Sequence, residues 1–158
     1  MINIEESVTI ARSVEKVFAF ATDFQNNARW QTNVILTEQT SEGPLGEGTT
    51  YRLVNRFMGK HFDSNGIISD YIPNQICSYR FVSGSVGGKS SFIFESVNGG
   101  TRFITRGAIE LKNFKTIGFL AKNKARRQVR NDLQKLKSIL ELSLIHISEP
   151  TRPNAPSR

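Results

Sequence analysis

The sequence predicts an α+β domain in which one antiparallel sheet packs against a long C-terminal helix. Two observations carry this reading. From Asn33 to Leu111 apolar residues alternate with polar ones between glycine-rich turns, whereas from Phe114 onward the apolar spacing changes to threes and fours. Strands and helix are thus segregated along the chain, as in α+β layers. A length of 158 residues suits a single domain with a core of useful size.

Each element has its own signal. Ile2, Ile4, Val8 and Ile10 alternate along a first strand, interrupted at Glu6. Ser13 offers an N-cap with Glu15 in the first turn. Val14, Val17, Phe18 and Ala21 then follow at the spacing of a short amphipathic helix. Asn26 to Gln31 suits a further helical turn carrying Trp30. Turns at Glu42–Gly46, Met58–Lys60, Ile72–Asn74, Ser83–Lys89 and Asn98–Gly100 divide the next stretch into five or six strands. The Asn-Gly pair of the last turn is a two-residue hairpin signal, because both residues tolerate positive φ. Ile117, Ala121, Ala125, Val129, Leu133, Leu136 and Leu140 form one stripe with no proline before Pro150, a helix of about 25 residues.

Composition narrows the function classes. Hydrophobic residues make up 38% and charged residues 22%, values of a globular chain. No apolar run approaches the roughly 20 residues of a membrane span, and the N-terminus lacks a signal-peptide pattern. The lone Cys77 excludes an internal disulfide framework, and a cytoplasmic location is expected. With one cysteine and two histidines, His61 and His146, zinc sites and most nucleophile triads lack parts, and no cofactor or metal is expected. The net charge of +7 is concentrated in one segment. Residues 1–111 carry 10 basic against 11 acidic groups, while residues 112–142 carry 9 basic groups against Asp132 and Glu141. A solvated basic face is the default reading. Docking to an anionic membrane surface or an acidic carrier protein is the alternative. Nucleic acid is disfavoured, since no aromatic follows Phe119 to stack on bases.

Catalytic signals are weak. His61 and Asp63 lie two apart, the spacing of a base and its orienter on one strand face. They follow the tight Gly59 turn, which favours a surface pair. Ser83 to Ser90 approaches a phosphate-binding loop, but Ser83 stands where the first glycine is required and a strand follows. It reads as a glycine-rich hairpin. No catalytic constellation emerges.

Four stretches together resemble the START-like helix-grip superfamily (SRPBCC), in its polyketide cyclase/dehydrase branch. They are Ser7–Phe20, Asp23–Trp30, Thr40–Thr49, and Phe92–Glu95 followed by Gly99–Phe103. Ser13 departs from the proline often found there and caps the helix equally well. The resemblance covers about residues 2–142. It implies a curved antiparallel sheet gripping the long helix around an apolar cavity. It also implies binding of a hydrophobic or aromatic small molecule, lipid-like or polyketide-like, or a cyclase or dehydratase reaction in that cavity. Ser143–Arg158, with Pro150, Pro153 and Pro156, is read as a tail outside the domain. Within it, Leu142–Arg152 resembles a translated transposase sequencing adapter, so the tail is treated as non-native or disordered.

Strand parity names the inner face. Tyr51, Leu53, Asn55 and Phe57 share one parity, with Arg52 and Arg56 opposite. Tyr79 and Phe81 share the parity of Cys77, Phe92 and Phe94 alternate with serine and glutamate, and Phe103 and Thr105 oppose Arg102 and Arg106. From the helix, Ile117, Leu120, Ala121 and Val129 are too small to fill a concave sheet. Taken alone, these residues read as a packed core. With the resemblance they become ligand-binding candidates, and Asn55, Thr105, Tyr51 and Tyr79 supply polar groups. Trp30 is either a gate at the mouth or an apolar plug between helix and sheet.

Overall fold

A computed structural model describes residues 2–57, 59–84, 86–111 and 118–148. Strand β1 (Ile2–Ile10) leads into α1 (Val14–Thr22), a 3-10 turn (Phe24–Asn26) and α2 (Asn27–Trp30). Six strands follow: β2 (Val34–Gln39), β3 (Thr50–Phe57), β4 (Lys60–Ile72), β5 (Ile76–Ser83), β6 (Val86–Val97) and β7 (Gly100–Leu111). Helix α3 (Gly118–Ser148) closes the described chain. The strands form one curved seven-stranded sheet in the order β1-β7-β6-β5-β4-β3-β2, and every pairing is antiparallel. This is the helix-grip arrangement, with α3 packed along β1 and against α2.

Local chemistry accounts for the junctions. Ser13 Oγ accepts from the Lys16 amide at 3.4 Å and caps α1, and Asp23 Oδ1 accepts from the Gln25 amide at 3.0 Å to start the 3-10 turn. In the β6–β7 hairpin Val97 pairs with Gly100, so Asn98 and Gly99 are the two turn residues. Only Gly99 of the two takes positive φ (73°). Among the described residues Asn74, after Pro73, is the one non-glycine there.

The outward parity is the arginine-rich one. Arg52 pairs with Asp63 and Glu38, Arg102 with Glu95, and Arg106 with Glu5. All these groups are well exposed, so each pair adds little stability. Glu6 explains the break in the first strand's alternation. It lies on the inner parity of β1, and its carboxylate meets Arg130 Nε at 3.0 Å and Arg126 Nε at 3.5 Å. The far end of α3 is pinned to the β1–α1 corner. Buried Arg12 donates to the Leu140 carbonyl at 3.0 Å, the Ala11 amide donates to Glu141 at 2.9 Å, and Lys137 donates to the Thr9 carbonyl at 2.7 Å.

The helix runs to Ser148, six residues beyond the boundary expected at Leu142. No proline interrupts it before Pro150. Its described packing ends earlier, with Leu140 buried and Leu142 already 55% exposed. Truncation after Leu142 is therefore expected to leave the melting temperature within about 2 °C of the full chain. A loss of several degrees would show that the final segment packs on the domain.

Candidate functional site

Six ring contacts link the inner aromatics into a continuous row. Phe18 meets Phe94 (centroids 4.9 Å apart), Phe94 meets Phe103 (5.0 Å), and Phe103 meets Phe92 (5.3 Å). Phe92 then meets Tyr79 (5.2 Å), Tyr79 meets Tyr51 (5.9 Å), and Tyr51 meets Phe24 (5.4 Å). What covers the row changes along α3. Leu133, Leu136 and Leu140 belong to the same packed cluster as Phe94, Phe103, Ile10 and Val17. One turn further back α3 offers only Ala125 and Val129, and the rings there are left facing open space.

That space is a two-lobed cavity. One lobe, about 230 Å³, is lined by the rings of Phe24, Tyr51, Tyr79, Phe81 and Phe92, with Thr105 on its floor. The other, about 270 Å³, runs past Asn55, Phe57 and Phe62 to a polar end at Gln31, Asn33, Gln128 and Asp132. The lobes share Ile2, Gln31, Leu53, Phe81, Ile109, Ala125 and Val129. The floor stays low because small residues occupy inner positions. Two of them lie under rings: a Cβ at Gly66 would stand 2.3 Å from the Tyr51 ring, and one at Gly88 2.7 Å from the Phe81 ring. Ser90 and Gly107 instead line the cavity itself, and a Cβ at Gly107 would meet nothing nearer than the Lys89 carbonyl at 3.9 Å.

Of the residues singled out from sequence, Tyr51, Leu53, Asn55, Phe57, Tyr79, Phe81, Phe92 and Thr105 lie around the cavity. Phe94 and Phe103 are on the expected face but are packed in the core and do not line the cavity. Trp30 is only 2% exposed and meets Phe92 and Phe103 in tilted and edge-on contacts, the burial expected of an apolar plug between helix and sheet. The helix side needs correction. Leu120 is 75% exposed and points away from the sheet, while Ala121 is fully buried in a satellite cluster with Ile2 and Ile4. Ile117 lies outside the described residues. Apolarity does not fix the rotation of a helix, and adjacent positions differ by about 100°. The lining face is Ala125, Gln128, Val129 and Asp132, spaced i, i+3, i+4, i+7, a pattern visible in the sequence once polar residues are admitted to it.

Asp132 is the one acidic side chain among the described lining residues. Its Oδ1 accepts from the Thr32 amide (3.1 Å), the Thr32 hydroxyl (2.9 Å) and Gln128 Nε2 (2.9 Å). Gln128 Nε2 also reaches the Thr32 hydroxyl. Burial pushes the Asp132 carboxyl above its ordinary range, against the lowering effect of these hydrogen bonds. Other titratable groups are ill suited to chemistry. Burial raises the Cys77 thiol to about 11 and holds the Tyr51 and Tyr79 hydroxyls above their usual range, so none supplies an anion at neutral pH. His61 and Asp63 lie on the outer face. His61 takes a hydrogen bond from Arg56, and Asp63 is engaged by Arg52, which lowers its carboxyl. They do not form a base–orienter pair. Ser83 pairs with Val86 across the β5–β6 hairpin and a strand follows, not the helix N-terminus that a phosphate loop requires. Among the described residues no cluster of metal-ligating side chains occurs, and no helix is long and apolar enough to cross a membrane.

A family model described as polyketide cyclase / dehydrase and lipid transport matches residues 1–141. The chain belongs to this family. Solved structures with the same fold include a START superfamily protein from Mycobacterium smegmatis, at 14% identity and a TM-score of 0.78, covering 90% of this chain and 99% of that one. The Zhui aromatase/cyclase from Streptomyces sp. R1128 matches at 16% identity and a TM-score of 0.67, covering 90% and 94%. The di-domain ARO/CYC BexL from the BE-7585A biosynthetic pathway matches at 15% and 0.70, covering 91% of this chain and 48% of that one. No significant match is found among curated protein sequences. Membership of the polyketide cyclase/dehydrase and lipid transport family supports binding of a hydrophobic ligand or a cyclase role.

Proposed function

We propose that this chain binds an apolar small molecule, lipid-like or polyketide-like, in the two-lobed cavity. The observation that carries the reading is the uncovered half of the aromatic row. Rings from three strands and the 3-10 turn face a space that α3 leaves open with alanine and valine. Burying apolar area at about 25 cal/mol per Å² makes such a space a binding site for a ligand of matching shape. Native mass spectrometry of protein purified without detergent tests this. A co-purifying mass of a few hundred daltons is expected, and protein that is always ligand-free and refuses apolar probes would overturn the reading.

A cyclase role is the second reading, favoured by Asp132, a partly buried carboxylate on the cavity wall. Apart from the exposed Lys89, the other polar lining side chains among the described residues are amides and hydroxyls, so any catalysis would rest largely on shaping the substrate. Recovery of a chemically altered polyketide probe would support it, and recovery of the intact probe supports binding alone. The single buried thiol suits the cytoplasm.

The basic helix supports docking on an anionic membrane surface. Arg126 and Arg130 are held by Glu6, which leaves Lys124 and Arg127 exposed on the same face as Leu120. An exposed apolar side chain beside cations suits a lipid headgroup region better than an acidic carrier protein. Sedimentation with phosphatidylserine-containing vesicles is expected at low salt and lost near 0.5 M, where the Debye length is about 4–5 Å. The double variant Lys124→Glu, Arg127→Glu should abolish it. Equal sedimentation with neutral vesicles would rule out the electrostatic account.

A further inference from the structure

The two lobes are chemically unequal, and the difference bears on which end of a ligand enters which lobe. The first is lined mainly by rings and aliphatic side chains, with Asn27, Gln31, Thr37, Ser90 and Thr105 between them and, among the described residues, no acidic side chain. The second ends at Asp132, with the amides of Gln31, Asn33, Asn55 and Gln128 around it. All three hydrogen bonds that Asp132 takes from the protein fall on Oδ1. Among the described residues Oδ2 has no donor. Oδ2 is not among the buried polar atoms left without a partner, so it stands open to water or to a ligand in the lobe.

We infer that the second lobe is a subsite for a hydroxyl group at one end of an otherwise apolar ligand, with Asp132 Oδ2 as its acceptor. The inference rests on the cavity-binding reading above and adds the polar group to it. A hydrogen bond to a charged acceptor is stronger than one between neutral groups, and the neighbouring amides can accept from or donate to the same hydroxyl. A ligand carboxylate would face Asp132 as a like charge. An ammonium would be opposed by Lys135, the cation whose charge acts on Asp132. A neutral donor remains. Thr32 and Gln128 hold the carboxylate by its other oxygen, so the acceptor is oriented before the ligand arrives, which limits the ordering needed on binding.

Three naphthalenes of nearly equal size test this: 2-naphthol, 2-methylnaphthalene and 2-naphthoate, each measured at pH 7 by displacement of Nile red from the full chain. On the unmodified protein 2-naphthol is expected to bind about tenfold more tightly than 2-naphthoate, with 2-methylnaphthalene between. Asp132→Asn keeps an oxygen for Thr32 and Gln128 and replaces the unpaired acceptor by an N–H donor. It is expected to weaken 2-naphthol about tenfold, tighten 2-naphthoate, and leave 2-methylnaphthalene unchanged. The hydrocarbon thus reports an intact cavity in the variant. If all three probes bind the unmodified protein equally, or if Asp132→Asn leaves their ratios as they were, the hydroxyl subsite is wrong and the cavity reading stands. If neither Nile red nor any naphthalene binds, the cavity reading fails and the subsite falls with it.

Discussion

Gly107→Leu is expected to abolish Nile red binding while leaving the melting temperature within a few degrees of the parent. Gly107 shares the inner parity of Thr105 and Ile109, lines the first lobe, and would place its Cβ in open space. A leucine there fills the floor between Tyr79 and the helix, with no backbone atom to push aside. In a packed interior the same substitution would cost about 1–3 kcal/mol through overpacking. A loss of binding of more than tenfold corresponds to over 1.4 kcal/mol. The variant that binds dye normally, or that unfolds outright, would contradict the open floor. Ala121 is the wrong place for such a test, because it is already packed against Ile2 and Ile4.

The two halves of α3 should also respond differently to truncation. Leu136 is fully buried in the main cluster, and Leu136→Ala is expected to destabilise the domain by about 2–5 kcal/mol. Val129 borders the cavity, so the space left by Val129→Ala joins a void that already exists. Its cost is expected to stay nearer the transfer term alone, about 1–2 kcal/mol for two methyl groups. Denaturant titration of both variants checks the contrast. Equal losses would mean that the space beneath Val129 is closed in solution.

The fold was legible because its signals are periodic and local. Alternation in β3, β5, β6 and β7 assigned the inner and outer faces, and the arginines at 52, 102 and 106 lie outward as their parity requires. The strand side of the cavity follows from the same arithmetic, since a period of two leaves no freedom of rotation. Parity says which face a ring is on, but not whether a partner covers it. Phe94 and Phe92 are indistinguishable along the chain and belong to one buried cluster, yet of the two only Phe92 borders the cavity. That depends on the axial position of α3 over the sheet, a long-range property. Asp132 was passed over as one acid in a basic run. Its position three residues after Val129 and four after Gln128 marks it as a wall residue.

The carboxylate of Glu6 has a consequence for strand pairing. β1 is an edge strand, and its Ile2, Ile4, Val8 and Ile10 would bury equally well after sliding two residues along β7, since alternation repeats every second position. Such a slide moves each side chain by nearly 7 Å. It would carry Glu6 away from Arg126 and Arg130 and leave a charge among apolar groups. A slide of one residue would turn Glu6 to solvent but expose the four aliphatic side chains. Only the observed alignment satisfies both conditions. An inward-facing charge that adds modestly to stability therefore removes the degenerate alignments that an all-aliphatic edge strand would permit.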